Sequence, residues 1–126
     1  MSSARLLFVQ FTIVLPLAIV TWFAVAQALY WRIWWLDIPM HFFGGAWAGF
    51  LGAWLVARRG EAFTVLGCAL FALVVGVGWE IFEYTEHLTY SPFMDYRFDT
   101  FKDLAMDMLG GGIAGFTAQF LIRARK

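Results

Sequence analysis

Residues 6–29, LLFVQFTIVLPLAIVTWFAVAQAL, contain no charged side chain. About 20 helical residues cross a bilayer's hydrocarbon core of about 30 Å, so this stretch is long enough to span one. Arg5 precedes it and Ala24-Val25-Ala26 lies near its end, a pattern that also resembles a signal peptide. The apolar region of such a peptide runs only about 7–15 residues, so the stretch is expected to remain as a membrane span.

Working outward, three more segments meet the same test. Residues 38–57 are interrupted only by His41 and stop at Arg58-Arg59-Gly60; residues 62–84 carry Glu80 and Glu83 near their end; residues 101–122 carry Asp103 and Asp107 in their first two turns. The spans fill the chain and leave only residues 85–100 as a sizeable loop. Composition agrees: 62% of the 126 residues are hydrophobic, 20% are aromatic and 14% are charged, against about 25% charged in soluble domains. The mean hydropathy is +0.72. The expectation is an all-α polytopic membrane protein, a single four-helix transmembrane domain over residues 1–126.

Nine basic residues balance nine acidic ones, and no basic run interleaves with aromatics, which speaks against a nucleic-acid partner. The lone Cys68 excludes a disulfide framework and a paired-cysteine metal site. The zero net charge conceals an asymmetry. With the N-terminus inside, the inner ends collect Arg5, Arg58, Arg59, Arg123, Arg125 and Lys126 with one acid, Glu61; the outer ends hold the other eight acids with Arg32, Arg97 and Lys102. The positive-inside rule therefore favours both termini inside. Tyr30, Trp31, Trp34, Trp35, Tyr84, Tyr90 and Tyr96 gather at the outer end, as an interfacial aromatic belt does, although they would also suit a ligand groove.

Gly45, Gly49 and Gly52 in the second span and Gly111 and Gly115 in the fourth give small-residue faces on which helix backbones approach closely in lipid. Ala72, Gly76 and Gly78 add to this in the third span. Spans two to four are expected to form the tight core. The first span, without glycine and with Pro16 as a source of a kink, reads as peripheral or partner-facing.

Asp37 and His41 are four residues apart, Glu80 and Glu83 three, and Asp99, Asp103 and Asp107 repeat every four, so each set shares a helix face. All three sets lie at the outer ends of their spans, at matching depth. An ionised acid at a span's centre costs on the order of 2.5–3.5 kcal/mol, so facing carboxylates need compensation. Lys102, adjacent to Asp103, is expected to point to another face. The candidate site is an intramembrane divalent-metal centre built from Asp37, His41, Glu80, Glu83, Asp103 and Asp107. Mixed carboxylate and imidazole ligation suits Zn, Mn or Fe, with Mg an option when water completes the shell. It is similar to the carboxylate and His sites of dinuclear four-helix bundles, without their Glu-x-x-His spacing. The alternative is a protonated, hydrogen-bonded network without metal. Glu86, His87, Asp95 and Asp99 are expected to be solvated rim residues.

Three segments, residues 36–45 (LDIPMHFFGG), 78–84 (GWEIFEY) and 99–110 (DTFKDLAMDMLG), resemble the core of the YjdF-type family of small bacterial inner-membrane proteins and, more distantly, VanZ-like membrane proteins. The resemblance covers about residues 36–115. It implies a multi-pass bacterial membrane protein with a polar site near one face, which the charge asymmetry puts on the periplasmic side, and it implies no reaction.

Three functions compete on the sequence. A binding or accessory subunit of a membrane assembly would hold the metal and contact a membrane-protein partner or a second copy, with the lipid bilayer around it. A metal-dependent hydrolase would act on a lipid or polyprenyl head group, with Glu80 or Glu83 as base, but no Ser, Cys or Lys nucleophile is expected beside a base. An ion or proton transporter would need acids along the whole path, and these stop in the outer half.

Overall fold

The structure is a computed structural model that describes residues 2–88 and 94–123. Four helices follow in order: α1 (Ser2–Ala26), α2 (Asp37–Ala57), α3 (Val65–Glu86) and α4 (Tyr96–Arg123), with one 3-10 turn, Leu29–Trp31, between α1 and α2. No strand occurs among the described residues. Each of the four helices is long and apolar enough to cross a membrane. The all-helical, four-span expectation therefore holds, and the differences lie at the ends.

The first helix stops three residues before Leu29 because Ala28 adopts a left-handed conformation, φ 53°; within it, Pro16 leaves the helix continuous. The third begins at Val65 because Thr64 caps it, its hydroxyl accepting the Gly67 N–H at 2.9 Å. The fourth begins five residues earlier than its apolar stretch suggests. Asp95 accepts the Arg97 N–H on its side chain at 3.0 Å and the Asp99 N–H on its carbonyl at 2.9 Å, the bonding of an N-cap. That extra turn winds Asp99 into the bundle.

The closest packing joins α2 to α4, and α3 closes on both. A Cβ at Gly45 would collide with the backbone of Asp107, one at Gly110 with the carbonyl of Phe42, and one at Gly49 with the backbone of Gly111 at 2.6 Å. The fourth helix meets the third in the same way, Gly115 against Cys68 at 2.8 Å. Spans two to four thus form the tight core, as the glycine faces require. The first helix lies outside it, packed on α2 and touching α4, with Leu6 buried and Gln10 donating to the Phe50 carbonyl at 3.5 Å. Between α1 and α3 there is hardly any contact, so that side of the bundle is open. Large apolar side chains such as Phe8, Trp22, Val74, Ile81 and Phe101 face outward, as helices solvated by lipid require.

Candidate metal centre

α2 and α4 begin at the end of the bundle where α3 finishes. The antiparallel arrangement brings the first two turns of α2 and residues 99–107 of α4 level with the last two turns of α3, so the acids of three helices meet. Among the described residues the buried titratable groups at this end are His41, Glu80, Asp99, Asp103 and Asp107, each at most 7% exposed.

His41 sits at the centre. Its Nδ1 lies 3.2 Å from Asp107 Oδ2. Its Nε2 faces three carboxylate oxygens: Asp37 Oδ1 at 3.5 Å, Glu80 Oε1 at 3.7 Å and Asp103 Oδ2 at 3.9 Å. Those three come from three different helices. On each carboxylate the second oxygen is engaged elsewhere. Thr100 donates its hydroxyl to Glu80 Oε2 at 2.9 Å, while the Lys102 ammonium stands 3.5 Å from Asp37 Oδ2 and 3.1 Å from Asp103 Oδ1. Glu80 Oε1, which faces Nε2, is buried and accepts no hydrogen bond. A buried anionic oxygen without a donor is costly unless a charge or proton compensates it.

Glu83 lies one turn further along α3, half-buried, and accepts the Trp79 indole N–H at 2.6 Å. It stands with His41 and Glu80 in a second trio whose ligand atoms lie within 4.8 Å of one another, as those of Asp37, His41 and Asp103 do. All six residues expected at the site are therefore in one cluster, with Asp107 bonded to the back of the imidazole.

Two expectations are corrected. Lys102 does not point away from Asp103: its long stem folds back so that its ammonium also binds Asp99 Oδ1 at 2.7 Å. Asp99 is not a solvated rim residue but is buried beside that ammonium. The signal for both was the three-residue spacing of Asp99 and Lys102, which places opposite charges within reach on a helix. Thr100 was also missed, because a lone threonine at a helix start carries no pattern. Glu86, His87 and Asp95 are exposed, as expected.

Beside the cluster, on the open side between α1 and α3, a cavity of about 500 Å³ is walled by Val14, Leu17 and Ala18 of α1, Gly44 and Trp47 of α2, and Ala72 and Val75 of α3. Its polar end is made by Asp37, His41, Glu83 and Asp107, with Thr21 and Tyr30. Burial pushes the Tyr30 phenol up to about 12, helped by Asp37 and Glu83 against a hydrogen bond to Thr21, so the group is a neutral hydroxyl at ordinary pH. Tyr30 thus belongs to the groove and not to the aromatic belt. Trp31, Trp34, Trp35, Tyr84 and Tyr96 are exposed at this end, the last two with ring centroids 5.7 Å apart; Tyr90 lies outside the described residues.

No curated protein and no solved structure matches the chain. A family model does, over residues 5–124, nearly the whole sequence and all four helices. The chain belongs to the family described as "Predicted membrane protein (DUF2238)".

Proposed function

We propose that this is an intramembrane divalent-metal-binding protein in which Asp37, His41, Glu80 and Asp103 hold the ion and Asp107 orients the imidazole. One observation carries the reading: His41 Nε2 faces three carboxylate oxygens at 3.5, 3.7 and 3.9 Å. Zinc bonds of about 2.0–2.2 Å in a tetrahedral shell separate neighbouring ligand atoms by about 3.4 Å; the ligand atoms of Asp37, His41 and Asp103 already lie within 4.8 Å of one another, and the Glu80 carboxylate, grouped instead with His41 and Glu83, closes the shell by moving toward them. Asp107 on Nδ1 matches the carboxylate–histidine–metal pattern, in which the second ring nitrogen is tied so that the first presents its lone pair.

Charge supports the same reading. Three ligating carboxylates call for a cation, because the Lys102 ammonium that touches two of them is shared with Asp99 and a divalent ion supplies the rest. The donor set suits Zn, Mn or Fe better than Mg, which keeps its waters. Beyond Asp107 the glycine faces press the backbones of α2, α3 and α4 together, which weighs against a conducting path. Lys102 is engaged by three acids and is not poised as a nucleophile, so the reading is one of binding. The protein holds the ion as a subunit of a membrane assembly, with the apolar outer face of α1 available to a partner. We place it in the bacterial inner membrane with the site toward the periplasm, in keeping with the charge asymmetry and with the likeness of three motifs to YjdF-type proteins.

Metal analysis of the purified protein tests this. The wild type is expected to hold about one equivalent of Zn, Mn or Fe per chain, or to take up one on titration; the double variant Glu80→Gln/Asp103→Asn is expected to hold none while keeping its helix content. A wild type that neither contains nor saturably binds a divalent ion overturns the proposal.

A further inference from the structure

The groove between α1 and α3 spans Ala72 to Glu83 on α3 and Asp37 to Trp47 on α2. At 1.5 Å per residue both walls are about 16 Å long, half of a bilayer's hydrocarbon core of about 30 Å. Its volume of about 500 Å³ over that length leaves a cross-section on the order of 30 Å². That is room for one hydrocarbon chain at carbon–carbon contacts of about 4 Å. The groove faces lipid along its side, since α1 and α3 hardly meet, and its far end is acidic: Asp37, Glu83 and Asp107 line it with His41, and among the described residues neither Lys nor Arg does.

We infer that the groove takes one chain of an amine-headed membrane lipid, its ammonium group held at Asp107 and Glu83. The apolar walls recognise the chain and the carboxylates favour a zwitterionic head group that ends in an ammonium over a net-anionic one. This goes beyond the metal reading, because the ion's proposed ligands converge on His41 Nε2 while the groove offers Glu83 and the Asp107 side of the ring. Gly44 provides a plug. A Cβ there would meet only Asp107 Oδ1 at 3.9 Å and Leu17 Cδ2 at 4.0 Å, so a longer side chain is tolerated at its root and projects into the groove.

The test uses phosphatidylglycerol nanodiscs doped with either phosphatidylethanolamine or phosphatidylglycerol carrying brominated chains, and reads quenching of tryptophan fluorescence; Trp22, Trp47 and Trp79 line the groove. The wild type is expected to associate with the ethanolamine lipid about fivefold more strongly. Gly44→Leu and Ala18→Leu, which plug the groove from opposite walls, are expected to lose that preference and to keep the wild-type metal content. Equal quenching by the two lipids, preference for the glycerol lipid, or a preference that survives both plugs overturns the inference. So does a wild-type dimer that the plugs convert to monomer, since the occupant would then be a second copy. Metal content measured on the same samples separates this outcome from failure of the metal reading.

Discussion

At the scale of single residues, the site depends on what each oxygen has left to offer. Thr100 and Lys102 occupy the outward oxygens of Glu80, Asp37 and Asp103, so the remaining oxygens face His41 Nε2. Asp107 acts through the other ring nitrogen. Its replacement in Asp107→Asn keeps the shape but removes the charge, and metal affinity is expected to fall about 10–100-fold by competition with a chelating dye. An unchanged affinity would remove Asp107 from its orienting role. The six clustered residues were legible from their three- and four-residue spacings, since periodicity alone puts each set on one face. Lys102 was misread from its adjacency to Asp103, because neighbours on a helix diverge at the Cα while a four-carbon stem reaches back; its three-residue spacing from Asp99 was the overlooked signal. Asp99 was missed because the cap at Asp95 that extends α4 lies outside the apolar stretch.

At the scale of helices, the glycine faces set how closely α2, α3 and α4 approach, and that distance brings the carboxylates to one ring. Gly45 touches the Asp107 backbone, so packing and site are joined at one contact. Gly45→Ala is expected to destabilise the protein by about 1–3 kcal/mol through overpacking. Gly78→Ala, where a Cβ meets nothing within 4 Å, is expected to be neutral or to stabilise by up to about 1 kcal/mol through helix propensity. Thermal unfolding in mild detergent compares the two, and equal effects would contradict the packing account. The tight trio was readable from the small-residue repeats. The gap between α1 and α3 was not, because a uniformly apolar helix such as α1 carries no stripe to say which neighbour it meets.

At the scale of the whole molecule, the basic ends and the acidic ends occupy opposite poles of the bundle. On the positive-inside rule the Arg58-Arg59 turn is expected at the cytoplasm and the proposed metal centre at the periplasm. In a Cys68→Ala background, Glu86→Cys is expected to react with an impermeant thiol reagent applied to intact cells and Arg59→Cys is expected to be protected; the reverse pattern would invert the orientation and leave the site intact. X-ray absorption of the zinc-loaded protein reads the proposed ion at the imidazole. One imidazole nitrogen and three carboxylate oxygens at about 2.0–2.2 Å are expected, with the nitrogen signal lost in His41→Gln. A shell of oxygens alone, the same in both proteins, would contradict it.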